Sequence, residues 1–134
     1  MRYQRAEPPL KLDGLAAARD FFAGCLAEAD PSVEHLLVAH VDDQSRCIHL
    51  TRHAGASTSA PFPLRTIIVD AATHGSVGLI LAHNHPSGDS TPSFSDRQVT
   101  RKLAGAAEAL DCTLLDHLVF GGDSCTSFRR LGLL

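Results

Sequence analysis

The chain has no surplus of positive charge, no paired cysteines and no long apolar run, and each absence closes off a class of function. Its 12 Lys and Arg are outnumbered by 15 Asp and Glu, for a formal net charge of −3, whereas sequence-independent phosphate binding needs clustered basic residues in excess. The four cysteines, Cys25, Cys47, Cys112 and Cys125, stand far apart with no Cys-x-x-Cys pair. That argues against a zinc ribbon or a dithiol redox motif and reads as small core residues in a reducing cytoplasm. No apolar stretch approaches the roughly 18–20 residues that span a bilayer. The N-terminus, Met1 to Pro9, has charges with no apolar run behind them, so it is not a secretory signal. What is present is average: 134 residues, 44% hydrophobic and 20% charged, enough for one ordinary domain with its own core. The expected organisation is a loose segment over 1–12 and a single domain over 13–134. Against one Tyr and no Trp, eight histidines stand out, and histidine is the commonest metal ligand and acid–base side chain.

Apolar residues from Leu12 to Ala29 recur at helical spacing, with Pro31 just beyond. Val33–Val41 and Arg46–Thr51, separated by the turn-like Asp42-Asp43-Gln44-Ser45, read as an antiparallel hairpin. A loop over His53–Pro63 leads to a helix from about Leu64 to Thr73, stopped by Gly75. The continuous apolar run Val77–Ala82 suits a strand buried on both faces, and it delivers His83-Asn84-His85-Pro86-Ser87-Gly88-Asp89 to a loop at its end. Ser93 to Asp96 fits a capping box opening another helix. Thr113–Phe120 and Cys125–Phe128 are strands joined by a turn at Gly121-Gly122-Asp123. The sum is an α/β fold, a mixed sheet flanked by helices.

The chemistry concentrates after the central strand. His83 and His85, two apart in extended chain, project from one face, and Asp96, eleven residues on, can return to them across a loop rich in Pro and Gly. Two neutral imidazoles and a carboxylate make a zinc site with an open fourth position, the arrangement that catalytic zinc prefers. Such a site lowers the pKa of a bound water to about 7. A hydrolase also needs a base and an oxyanion donor. Glu34, an acidic residue in an otherwise apolar strand, fits the first role, and Ser93 offers a hydroxyl for the second.

His83-x-His85-Pro86, six residues, Ser93, two residues and Asp96, with an upstream Glu, resembles the JAMM signature of the JAB/MPN zinc metallopeptidases. The longer string His83 to Asp89 with Pro92-Ser93, Leu115-Asp116-His117, and the ending Ser127-Phe128 with Leu131-Gly132-Leu133-Leu134, is similar to the RadC subfamily. The resemblance implies an MPN-type fold with zinc at the sheet edge, held by His83, His85 and Asp96. It also implies Glu34 as activator of the water and Ser93 as support for the tetrahedral intermediate. Two features depart from it. Only some 30 residues precede Glu34, so no helix-hairpin-helix region is expected. Phe62-Pro63-Leu64-Arg65-Thr66 stands where RadC-like chains carry His-Pro-Arg-Glu.

The leading reading is a zinc-dependent hydrolase acting on a peptide or isopeptide bond, taking an extended substrate tail by strand addition at the sheet edge. The alternative is a DNA-repair-associated binding module with a non-catalytic metal site. Its sequence support is the small basic group Arg97, Arg101 and Lys102 and the pair Arg129-Arg130. Ser93 and Asp96 have a competing use, because a capping box alone accounts for both and claims the Asp96 carboxylate. His35, His40, His49, His53 and His74 have no partner at ligand spacing and read as surface or satisfied core histidines. Asp116-His117 supports a metal ligand from behind or merely stabilises its strand.

Overall fold

The computed structural model describes residues 10–54 and 62–134. Eight elements follow in order: α1 (Leu15–Ala27), β1 (His35–Val41), β2 (Cys47–Ala54), α2 (Leu64–His74), β3 (Gly78–Asn84), α3 (Phe94–Glu108), β4 (Thr113–Gly121) and β5 (Ser124–Ser127). The strands form one sheet in the order β2-β1-β3-β4-β5. β3 and β4 are parallel and the other pairs antiparallel. The parallel pair needs a crossover, which α3 supplies.

Both faces of the sheet are covered, which is why β1 is buried along its whole length and reads as a continuous apolar run. Residues of alternating parity serve opposite layers. Leu36, Val38, Leu79 and Leu81 pack with Ile67 and Ala71 of α2 and Leu103 and Ala107 of α3. Leu37, Ala39, Ile80, Ala82 and Leu118 pack with Ala18 and Phe22 of α1. α2 ends as expected, at a left-handed Gly75 with φ 63° whose N–H returns to the last turn. The cysteines are free; Cys112 belongs to the first core, while Cys25, Cys47 and Cys125 pack at the edge of the second. No helix among the described residues is long and apolar enough to cross a membrane.

The boundaries differ from the sequence reading in informative places. Leu12 is buried but outside α1, and residues 10–12 are tied to the hairpin by Leu12 N–H to Ser45 O and by Cys47 N–H to Leu10 O. The expected loose segment is therefore anchored at that end, and residues 1–9 lie outside the described residues. β2 runs on to Ala54, because pairing with β1 continues through Leu36↔His53; of the expected loop over His53–Pro63, residues 55–61 lie outside the described residues. β1 starts at His35, one residue after Glu34, and β3 continues through His83 to Asn84.

Two buried histidines contribute to the acid response of the fold. His40 is fully buried, and desolvation, helped by the nearby His49, pushes it down to about 4. His117 is also driven well below the ordinary value of 6.5 by burial, with His83 adding to the effect. The unfolded chain takes up protons at these positions below about pH 6.5 and the folded chain does not, so stability falls as pH drops from there toward 4. We expect the chelator-treated protein to lose roughly 2 kcal/mol between pH 7 and pH 5 through His40 alone. Urea unfolding midpoints across that range measure it, and His40→Phe flattens the slope.

Candidate metal centre

The end of β3 is where the chain changes from a buried strand to a turn. His83 is still paired, opposite Leu36 on β1 and Val119 on β4, so its ring is fixed on the α3 side of the sheet and is 3% exposed. His85 follows outside the strand, with its N–H on Phe120 O, and a turn closes by Gly88 N–H to His85 O. Asp96 sits in the first turn of α3. The structure brings these three side chains together: His83 Nε2 to His85 Nε2 is 3.0 Å, His85 Nε2 to Asp96 Oδ2 3.0 Å, and His83 Nε2 to Asp96 Oδ2 3.4 Å.

A proton inventory shows what these atoms want. Thr100 Oγ1 donates its one proton to Asp96 O at 2.6 Å, so at 2.7 Å it accepts from His117 Nδ1–H. Neutral His117 then has a bare Nε2, which accepts from His83 Nδ1–H at 2.7 Å. On the other side Asp89 O accepts from His85 Nδ1–H at 2.8 Å. In neutral His83 and His85 both Nε2 atoms therefore carry lone pairs, and they face each other and a carboxylate oxygen. A shared proton or a cation satisfies acceptors that converge this closely. Their 3.0–3.4 Å separations match the edge of about 3.3 Å of a tetrahedron around an ion with ligand distances near 2.0–2.1 Å. The residues fit a divalent metal with one position open.

The competition between cap and ligand at Asp96 dissolves in the geometry. Ser93 Oγ accepts from Asp96 N–H at 2.9 Å, and Asp96 Oδ2 accepts from Ser93 N–H at 2.8 Å, a complete capping box. The same Oδ2 faces the two histidines, so the cap also aims the carboxylate at them. Burial pushes the Asp96 carboxyl up, but the His83 and Ser93 contacts outweigh it and hold the group well below the usual carboxylate range.

Glu34 is half-buried just before β1. Its carboxyl is pushed up by desolvation, pulled down by His83 and His85 and pushed up again by Asp96, so its charge is coupled to all three candidate ligands. Sequence reasoning missed what holds it there. Asn84, between the two histidines, accepts from His35 N–H at 2.7 Å and donates to Val33 O at 3.0 Å, clamping the backbone on both sides of Glu34. Thr100, the terminus of the histidine relay, was also missed: a Thr on an α-helix carries no signal until β4 places His117 against it. Asp116 and His117 have separate tasks. Asp116 accepts from Ser127 Oγ, Arg129 N–H and His117 N–H and fastens the C-terminal turn, whereas His117 backs His83.

A glycine lets the loop close. A Cβ on Gly121 would lie 2.6 Å from backbone atoms of Asp89 and Ser90, the segment whose carbonyl orients His85. We expect Gly121→Ala to displace that loop, costing about 1–3 kcal/mol of stability and weakening metal binding. Thermal unfolding and a metal titration on the same sample read both.

A mixed sheet covered on both faces, with an open His, His, carboxylate set at the end of a central strand, defines an α/β domain of the JAB/MPN type. The chain belongs to the RadC-like JAB domain family, whose model matches residues 13–133. It is 38% identical over 122 residues to a UPF0758 protein of Pelodictyon phaeoclathratiforme, covering 90% of this chain and 55% of that one. It is 37% identical over 137 residues to the UPF0758 protein Bpet3149 of Bordetella petrii, covering 100% and 56%. To the UPF0758 protein YfjY of Escherichia coli it is 37% identical over 119 residues, covering 88% and 73%. The chain thus spans little more than half the length of the first two relatives, and none of the three names states an activity.

Proposed function

We propose that the chain is a zinc-dependent hydrolase of the JAMM type that cleaves a peptide or isopeptide bond. The observation that carries this reading is the bare-acceptor triangle of His83, His85 and Asp96, with the raised carboxyl of Glu34 coupled to it. Zinc, when bound, supplies Lewis acidity for a water and for the scissile carbonyl. Glu34, its pKa raised toward the working range by burial, accepts the proton of the attacking water and returns it to the leaving amine. Ser93 Oγ already accepts from Asp96 N–H, so its own proton is free to donate to the oxyanion. Asn84 fixes the Glu34 backbone, and the relay through His117 keeps His83 in the ligating tautomer.

A groove of about 390 Å³ borders the site between the C-terminal turn of α1 and the turn after β3, lined by Leu26, Pro31, Asn84, His85, Pro86 and Phe120 among others. Its mainly apolar wall, with His85 in its lining, supports a substrate segment lying beside His85. Strand addition at β2 or β5 is less well supported, because β1 and β4 stand between β3 and these two outermost strands. The test is metal analysis of tag-free protein together with chelator-sensitive cleavage of a peptide and isopeptide library. Less than about half an equivalent of zinc after reconstitution, or cleavage indifferent to chelator, overturns the reading.

A further inference from the structure

The sheet carries a second histidine cluster, remote in sequence from the first. His40 of β1 pairs directly with His49 of β2. From α2, Asp70 and His74, four residues apart on one helical face, meet them. The ring centroids of His40 and His49 are 5.1 Å apart and those of His49 and His74 are 3.8 Å apart. One ligating atom each from His40, His49 and Asp70 lies within 4.8 Å of the other two. Sequence spacing gives His40, His49 and His74 no partner and reads them as surface or satisfied core histidines; the fold makes them neighbours, because spacing along one chain does not show contacts between paired strands and a helix some twenty residues on.

The independent observation is at His40. Its ring is fully buried, Ser76 Oγ holds Nδ1 at 2.8 Å, and Nε2 has no hydrogen-bond partner among the described residues. A buried polar nitrogen left bare is costly and calls for a partner. With Nδ1 engaged by Ser76, Nε2 is the nitrogen left to ligate.

We propose that His40, His49 and Asp70 form a second site for a divalent transition metal of the Zn2+ class, clipping α2 to the β1–β2 hairpin. Two imidazoles and one carboxylate suit a borderline ion rather than Ca2+ or Mg2+, which take oxygen ligands. Ser76 plays the outer partner that fixes a ligating imidazole, accepting from Nδ1–H. His40, held neutral by burial, has no proton to displace near pH 7. A shift of at most about 1.5 Å in the half-buried His49 and Asp70 brings atoms now within 4.8 Å to the tetrahedral spacing of about 3.3 Å. The exposed His74, stacked on His49, is the nearest further donor.

The two sites separate by stoichiometry. Tag-free protein is stripped with chelator, reconstituted with Zn2+ and desalted, and its metal is counted; Co2+ loading reports ligand geometry by its absorption. His49→Ala and Asp70→Asn alter partly exposed side chains, and circular dichroism checks their fold. We expect each variant to hold one equivalent fewer than the parent. His85→Ala protein should retain one equivalent, and Zn2+ should raise its thermal midpoint. The double variant His49→Ala/His85→Ala should bind none and show no such rise. If the His83 centre does not load, the parent holds a single equivalent that His49→Ala removes and His85→Ala spares, which still supports the second site. The proposal is overturned if His85→Ala binds no metal, or if His49→Ala and Asp70→Asn load as fully as the parent.

Discussion

Glu34→Gln is expected to lower hydrolytic turnover by about 10²–10⁴-fold, the range for loss of a positioned general base, while metal content and KM stay near the parent values. The amide keeps the shape and the burial but cannot take a proton from water. The structure makes the expectation specific, because Glu34 is not among the side chains whose ligand atoms converge on the candidate metal position. Its contribution is ionisation, coupled to His83, His85 and Asp96. Asn84→Ala tests the same residue from behind: with the clamp on Val33 O and His35 N–H removed, turnover drops while zinc is retained, and by less than in Glu34→Gln. Single-turnover cleavage with parallel metal analysis separates these outcomes. A Glu34→Gln protein that turns over at the parent rate with full metal would falsify the base assignment.

How much of this was legible in the sequence follows from the range of each interaction. The order of helices and strands, the stop at Gly75 and the capping box at Ser93 are local signals and emerge where composition places them. The triangle of His83, His85 and Asp96 was legible because its members lie within fourteen residues of one another and one turn links them. The strand ends were not: β2 continues to Ala54 and β3 to Asn84 because partners on β1 and β4 extend the ladders, and a single sequence does not show its partners. The same blindness hid the Asn84 clamp, whose bonds span 49 and 51 residues, and the meeting of His40, His49 and Asp70. Histidine count alone pointed nowhere; contact across the sheet sorted the eight.

The largest effect on metal affinity away from the ligating side chains themselves is expected at His117. His117→Phe removes the acceptor for His83 Nδ1–H inside the protein, next to the Phe128 ring that now stacks on His117 at 4.7 Å. His83 is 3% exposed, so water does not replace the lost partner, and an unsatisfied buried donor costs about 1–3 kcal/mol. The ring can recover by turning, or by moving its proton to Nε2, and either change removes the lone pair that faces the candidate metal position. Metal affinity should therefore fall by about 10–100-fold, the usual consequence of deleting an outer hydrogen bond to a ligating histidine. Thr100→Val distinguishes tautomer control from packing. It is nearly isosteric, leaves His117 in place and removes only the hydroxyl that holds the proton on His117 Nδ1. Without that hydroxyl His117 is free to carry its proton on Nε2, where it opposes the His83 proton and disfavours the ligating form. Zinc competition titrations should rank the parent tightest, Thr100→Val intermediate and His117→Phe weakest. Equal affinities in all three, with folds intact, would show that the His83 tautomer is set by the metal alone and that the relay through α3 is structural.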